Sequence, residues 1–596
     1  MNPPRLRLAL FLLAFAAGLA VGLAVLGRVW PGRSTVTAPA ALPIPSAPPR
    51  AETAWDPALG SPPRFTDITE AAGIDFRHEN GMAGKFRYPE IMGGGVALLD
   101  ANGDGLLDIY FVNGNRLPPE PLSPKITSRL YRNDGNAAFT DVTARAGVGQ
   151  PAYGQGACAA DYDNDGDIDL HVSNLGPNFL YRNQGDGTFA EVAAQAGVAD
   201  PGWGQTSSFL DYDGDGWLDL YAQNYLTIAP ALAAESFIHV GERRVPDYPS
   251  PVGFQGSASR LFRNTGGGKF IDVTVEAGVL REDGKGMGVA CADLNDDGRP
   301  DIFVANDSME NYYFRNLGGG RFEEVGLAVG LAYDGDGTPE ASMGVDVGDH
   351  DRDGKMDLVV PCLHRQIYPL YRNHGELFED VATEAGLGEA TARATGFNAN
   401  FLDYDADGDL DLFFTTGGVR AHETAAPGAS YHERYGMEDI LLANDGRGRY
   451  HDVSRRAGPH FARRTIGRGS AAGDIDGDGD LDLVISNLAD RAVVLRNDTR
   501  PGNWLFFRLI PAAGNRDALG ASVWVEAGGR RQRAIVHGGV TYLSQNDRRL
   551  HFGLGTAEKA DRVEVLWPSG KREEFRDVPA GRLHTVAEGK GIAGHP

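Results

Sequence analysis

Cysteine is scarce in this chain. There are three, Cys158, Cys291 and Cys362, among 596 residues, and no CxxC pair. A disulfide framework or a thiolate zinc site is therefore a poor reading, and small buried apolar side chains a good one. Cys158 and Cys291 each lie two or three residues before an acidic loop, in equivalent places of a repeated pattern. Basic residues are also in the minority, 56 against 81 acidic, for a formal charge of −25. That speaks against sequence-independent nucleic-acid binding, which needs a basic face. Catalytic signatures are missing too. His422-Glu423 and His432-Glu433 do not continue to H-E-x-x-H. Ser544, in Tyr542-Leu543-Ser544-Gln545, has no G-x-S-x-G nearby. Long apolar runs are absent but for one, Leu8 to Gly27.

That run is uncharged over 20 residues, with Arg5 and Arg7 before it and Arg28 and Arg33 after. Its length suits an N-terminal apolar helix that anchors the chain, since secretory signals have an apolar core of about 7–15 residues. The flanking arginines balance, so charge does not orient the helix. Anchor and signal both lead to export. The expectation is an extracytoplasmic protein, membrane-anchored facing the periplasm or cell exterior, or secreted if residues 1–30 are cleaved. Residues 31–63, rich in Pro and Ala, form a semi-rigid linker.

What the chain has in abundance is glycine, 80 residues, and aspartate in short clusters. Seven clusters read D-x-[DN]-x-D-G-x-x-D. In chain order they are Asp100, Asn102, Asp104 and Asp108; Asp161, Asp163, Asp165 and Asp169; Asp211, Asp213, Asp215 and Asp219; Asp293, Asn295, Asp297 and Asp301; Asp349, Asp351, Asp353 and Asp357; Asp403, Asp405, Asp407 and Asp411; and Asp474, Asp476, Asp478 and Asp482. Carboxylates this close repel unless a cation sits among them, and an all-oxygen donor set suits calcium. Glycine at position 6 allows the sharp turn. Phe111, Val172, Ala222, Val304, Val360, Phe414 and Ile485 stand where an EF-hand needs its twelfth-position Glu, so EF-hands are excluded. Turn-forming Asp explains two positions per loop, not four. General acid–base catalysis needs one asymmetric pair, not seven equivalent clusters. Up to seven Ca2+ ions are expected, more weakly held at the two loops with Asn. The loops contain 30 of the 81 acidic residues, so much of the charge belongs to these sites.

The flanks repeat with the loops. A Gly-rich apolar strand precedes each, as in Gly93–Leu99, and an apolar strand such as Leu107–Val112 follows. A third carries Leu130-Tyr131-Arg132-Asn133 and its copies. A fourth reads Phe139-Thr140-Asp141-Val142-Thr143. Four strands repeated seven times imply an all-β, seven-bladed β-propeller over 64–500. The seventh repeat lacks its fourth strand, and a lone copy, Phe65–Thr69, stands before the first, so the N-terminal strand should close the ring. The repeated Arg-Asn pairs are read as turn holders. Insertions at 224–259 and 416–438 are long enough to be functional or to cap one face. His78-Glu79-Asn80 reads as a surface turn, with the mouth of the channel as its alternative. Residues 503–588 form short alternating runs that imply a small β-sandwich-like domain.

These repeats resemble FG-GAP/VCBS repeats, the units of the integrin α-subunit propeller. The C-terminal segment is similar to the ASPIC/UnbV domain through Leu519-Gly520-Ala521, Gly539–Gln545, His551–Gly555 and Val565–Gly570. The pair together resembles bacterial relatives of cartilage acidic protein. The resemblance implies calcium binding and an extracytoplasmic location, and no reaction. Leu441-Leu442-Ala443-Asn444 departs from the pattern by lacking the Arg, which implies different packing of the sixth blade. The expected role is a binding or adhesion module toward an unknown protein or glycan, with no nucleic acid as partner and the membrane reached through the N-terminal helix if uncleaved. The alternatives are an envelope enzyme with a site under the two insertions, and a structural envelope component.

Overall fold

The computed structural model describes residues 55–593 except 241–242, 422–427, 501 and 540. The N-terminal helix, most of the linker and His422-Glu423 lie outside the described residues. Among the described residues no helix is long and apolar enough to cross a membrane.

Seven four-stranded antiparallel sheets follow one another along the chain. Blade 1 runs Val96–Leu99, Asp108–Phe111, Arg129–Asn133 and Phe139–Asp141 in adjacent order. Blade 7 takes Gly467–Gly473, Asp482–Asn487 and Val493–Asn497 from one end of the chain and Phe65–Asp67 from the other. Phe65 pairs with Asn497 and Asp67 with Leu495. The closing strand is thus the one the sequence leaves unpaired, and it covers an edge that would otherwise be open. The first strand of blade 1 also packs against those of blades 2 and 7, which closes the ring.

The first strands are buried almost throughout, fully so at Gly154–Ala160 and Gly467–Gly473. Small residues are frequent in them, and the larger polar side chains are buried with bonds to nearby carbonyls, Gln155 to Gly154 and Arg468 to Ile91. Between blades aromatic residues pack the gaps, for example Phe76, in the connection leading to blade 1, stacked on Phe111 of its second strand at 4.8 Å. Each fully buried side chain of this size contributes about 1.5–3 kcal/mol, so the inter-blade cores carry the fold. Cys158, Cys291 and Cys362 are free and buried in those cores, and burial pushes the Cys291 thiol up to about 12.

The C-terminal segment makes two more four-stranded sheets. One orders Leu550–Gly555, Asn503–Ile510, Arg582–Ala587 and Gly591–Ile592, with the second and third parallel. The other orders Arg530–Ile535, Ser522–Ala527, Lys559–Leu566 and Arg572–Pro579. They share one apolar core, which continues into the propeller through Cys158, Phe209 and Leu220.

The connection between Arg530–Ile535 and Leu550–Gly555 does something the sequence does not announce. It enters the centre of the ring and bonds to every blade. Gln545 exchanges backbone bonds with Val96 and Leu98 of blade 1, at 3.0 and 3.1 Å. The Leu543 carbonyl accepts from Ala157 of blade 2, and the Leu543 amide donates to Thr206 Oγ1 of blade 3. Tyr542 pairs with Gly288 of blade 4. Thr541 donates to the Val345 carbonyl beside blade 5. Tyr542 donates to Asn398 Oδ1 of blade 6, and Asp547 to the Ala472 carbonyl of blade 7. Ser544 is structural: its Oγ accepts from the Val96 amide at 3.1 Å. The glycines of the first strands make room for this plug. A Cβ on Gly95 would stand 1.7 Å from the Leu543 carbonyl oxygen.

Each insertion joins the second and third strands of its blade, so both lie on the face opposite the acidic loops. They are not structureless. The first holds a helix, Ile228–Ala233, and a hairpin of Ser236–Val240 with Arg243–Asp247. The second holds the helix Tyr431–Tyr435, capped reciprocally by Ser430 and Glu433. Their aromatic residues, Tyr225, Tyr248 and Tyr435, pack with Tyr88 and Trp203 over the tip of the plug at Tyr542 and Leu543. His78 and Asn80 belong to this cap and are buried, at 2% and 3% exposure, so they are no surface turn. Asn80 bonds the Glu90 carbonyl, and burial drives the His78 imidazole down to about 3.

Candidate metal centres and the loop ring

Each acidic loop joins the first and second strands of a blade, and in every loop its backbone amides bond inward to its own carboxylates. Position 1 accepts from the amides that follow. Asp161 Oδ1 takes Asp165 N at 3.0 Å and Oδ2 takes Gly166 N at 2.9 Å. The position-6 glycines all have positive φ, from 83° at Gly298 to 105° at Gly166. Position 4 is left-handed too, even where it is Asn164, Asp296, Arg352 or Ala406. This double left-handed turn bends the carboxylates inward.

Position 9 opens the second strand and is buried in every blade: Asp108, Asp169, Asp219, Asp301, Asp357, Asp411 and Asp482. One of its oxygens accepts from the amide of position 2, as Asp219 does from Tyr212 at 3.1 Å. The other accepts from the amide of the Asn that ends the third strand. Those distances run from 2.7 to 2.8 Å at Asn133, Asn183, Asn264, Asn316, Asn373, Asn444 and Asn497.

The same Asn does more than hold a turn. Its Oδ1 does accept from a residue two further on, such as Gly266. Its Nδ2 also donates to the position-2 carbonyl of the preceding blade's loop: Asn133 to Ile475, Asn183 to Ala101, Asn264 to Tyr162, Asn316 to Tyr212, Asn373 to Leu294, Asn444 to His350 and Asn497 to Tyr404. Seven asparagines therefore staple seven loops into a closed ring. Asn444 makes the full set of bonds although Ala443 replaces the Arg, so blade 6 does not depart from the others. Sequence reading missed this role. The signal was the Asn that recurs in every repeat, while its neighbours vary.

The five loops with Asp at position 3 bring three carboxylates together, each offering an oxygen within 4.8 Å of the others: Asp161, Asp163 and Asp169; Asp211, Asp213 and Asp219; Asp349, Asp351 and Asp353; Asp403, Asp405 and Asp411; Asp474, Asp476 and Asp482. Buried oxygens there lack any partner, namely Oδ1 of Asp163, Asp213, Asp349 and Asp480. An unpartnered buried carboxylate oxygen costs at least a hydrogen bond's worth of desolvation, and a hard cation relieves it. Burial, aided by neighbouring carboxylates, raises Asp169 to about 9, Asp161 and Asp349 to about 7, and Asp211 and Asp474 to about 6. The donor set thus fits a calcium-like ion. In the two Asn loops the side-chain amide relieves part of the same crowding. Asn102 Nδ2 donates to Asp104 at 2.8 Å, and Asn295 Nδ2 to Asp297 at 3.1 Å.

The loop face is the seat of the C-terminal domain. Arg549 donates to the Asp474 carbonyl at 3.0 Å, and the Trp504 ring covers Gly479. Arg516 reaches the Asn164 carbonyl, Asn515 the Gly216 carbonyl, and Arg530 the Asp407 carbonyl. Arg533 bridges two loops, touching Asp296 at 2.6 Å and the Gly354 carbonyl at 2.9 Å. Arg508 lies within electrostatic reach of Asp100. These contacts leave the position-7 carbonyls, the usual backbone ligands of such a loop, unused. Away from this face, His432 pairs with Asp490 at 3.0 Å, and no metal-holding group of three His, Cys, Asp or Glu forms around it among the described residues.

A family model described as "FG-GAP-like repeat" matches residues 100–172, 161–222, 252–304 and 293–360. One described as "ASPIC and UnbV" matches 511–593. The chain thus carries FG-GAP-like repeats and an ASPIC/UnbV domain. It is 32% identical over 327 residues to human cartilage acidic protein 1, covering 53% of this chain and 46% of that protein, and 30% identical to the mouse protein. The chain thus spans about half the length of the curated relatives it matches. Among solved structures, the BP39L lectin of Burkholderia pseudomallei aligns with 70% of this chain and 98% of its own, at TM-score 0.40 and 11% identity. An Agrocybe aegerita lectin aligns with 67% and 87%, at TM-score 0.34 and 16% identity.

Proposed function

We propose that the FG-GAP propeller binds calcium in its loop ring and acts, outside the cytoplasm, as a binding module for a protein or glycan. The observation that carries the calcium reading is the set of buried, unpartnered carboxylate oxygens in four of the five all-Asp loops. The ion at each site would be held by positions 1, 3, 5 and 9 and the carbonyl of position 7. It would supply rigidity, by fixing the turn between the first two strands and with it the seat of the C-terminal domain. Two geometric facts support a ligand site away from the ring. The channel is filled by the plug, and the loop face is occupied. The insertion face remains, where the Ser236–Asp247 hairpin presents Phe237 with Arg244 stacked on it at 3.7 Å.

The enzyme reading gains little from this geometry, because the mouth under the insertions is packed with aromatic side chains. The test is a pull-down from envelope extract with calcium and with chelator, using the wild type and a chain lacking residues 236–247. Capture that needs both calcium and the hairpin is expected. Capture independent of both would refute the reading. Fractionation of cells expressing the full chain tests the location, with protease accessibility in intact spheroplasts as the expected result.

A further inference from the structure

The connection from blade 4 to blade 5 carries a fragment of the loop motif. Asp334-Gly335-Asp336-Gly337-Thr338-Pro339-Glu340 reads D-x-D-G-x-x-E, which is positions 3 to 9 with Glu in the last place. Gly337 has φ +76°, like the position-6 glycines of the ring. Position 1 is Ala332, which offers no ligand. A carboxylate arrives instead from another element. Asp380, ending the fourth strand of blade 5, accepts Gly335 N on Oδ2 at 3.1 Å and Ala382 N on Oδ1 at 3.0 Å. Asp334 Oδ1 accepts Asp336 N at 3.0 Å and Thr338 N at 2.7 Å.

Glu340 is the telling residue. It is 7% exposed, its Oε2 has no partner, and its backbone is fixed by a bond from Ser308 N to its carbonyl at 3.0 Å. Its carboxyl faces that of Asp334 within hydrogen-bonding reach, and the charged groups acting on it, Asp334 and Asp380, are both acidic. Two carboxylates cannot bond one another without a proton or a cation between them. Three carboxylates from two elements, one of them buried and unsatisfied, make an oxygen-only donor set for a hard divalent ion.

We propose that Asp334, Glu340 and Asp380 form a further calcium site, outside the seven blade loops, which ties the blade 4–5 connection to the outer strand of blade 5. The carboxyl groups are not drawn together as tightly as in the five all-Asp loops, and binding of the ion closes that distance. The competing arrangement is a proton shared by Glu340 and Asp334.

Native mass spectrometry of the full chain at 1 mM calcium, comparing wild type with Glu340→Gln, counts the ions. The wild type is expected to carry one more ion than the variant. Crystals of the wild type grown in calcium should show an anomalous peak between the three carboxylates at long wavelength. Equal, non-zero counts in both proteins and no peak would overturn the proposal while leaving the ring sites intact, and would assign the pair a shared proton. No ions in either protein would overturn both. The crystal arm needs no variant, so it decides the matter even if Glu340→Gln fails to fold.

Discussion

Five of the blade loops and the remaining two share one backbone, yet they solve the crowding of their carboxylates differently. Where position 3 is Asp, three carboxylates meet, and in four of those five loops a buried oxygen stays unpartnered, at Asp163, Asp213, Asp349 and Asp480. Where it is Asn102 or Asn295, one charge is gone and the amide bonds position 5. A single atom exchange, oxygen for NH2, turns a loop that lacks something into one that is nearly content. The turn, the glycine and the asparagine staple are indifferent to it. Carboxylate crowding is therefore set by position 3, and ring architecture by positions 6 and 9.

The largest expected effect follows from removing the ion altogether. An ion at a hundred times its Kd adds about 2.7 kcal/mol, and five strong sites add up. Chelator should lower the melting temperature by more than about 10 °C, with recovery on adding calcium, measured by scanning calorimetry. Next comes a reversal with pH. Without calcium the folded loops keep protons that the unfolded chain releases, since Asp169 titrates at about 9 and Asp349 and Asp405 at about 7, against 3.8 for an ordinary Asp. More protons bound in the folded state means that stability falls as pH rises between about 4 and 9. Chelator-treated protein should therefore melt higher at pH 6 than at pH 8. The calcium-loaded protein should do the opposite, because protons compete with the ion.

Exchanging the two loop types sharpens the comparison. Asp163→Asn should raise the stability of the calcium-free chain and lower the calcium-dependent gain, each by about 1–2 kcal/mol, from denaturant curves with and without calcium. Asn102→Asp should shift both quantities the other way. The smallest contrast is a control. Asn264→Ala removes bonds to the Tyr162 and Leu218 carbonyls and should cost about 1–3 kcal/mol equally in calcium and in chelator. A loss confined to the calcium form would merge staple and metal site into one function.

How much of this was legible in the sequence depends on how local the cause is. The blades were readable because loop, strand and turn residues recur at fixed offsets, and the orphan strand Phe65–Thr69 pointed to its own place in blade 7. The relieved crowding of the Asn loops was readable from one residue type. The plug was not. Gly538–Asp547 carries no periodicity, and its partners lie in or beside seven blades spread over hundreds of residues. The staple was half readable. The Asn was visible in every repeat, but its bond to the previous blade exists only once the ring is closed. His78 misled because a polar triplet normally faces water, whereas here the imidazole is buried beside Gly94 and Ala489.

Long-wavelength anomalous diffraction from crystals grown in limiting calcium tests the central claim site by site. Density is expected first in the loops beginning at Asp161, Asp211, Asp349, Asp403 and Asp474, and only at higher calcium in those beginning at Asp100 and Asp293. Equal density in all seven at the lowest calcium, or none in any, would contradict it.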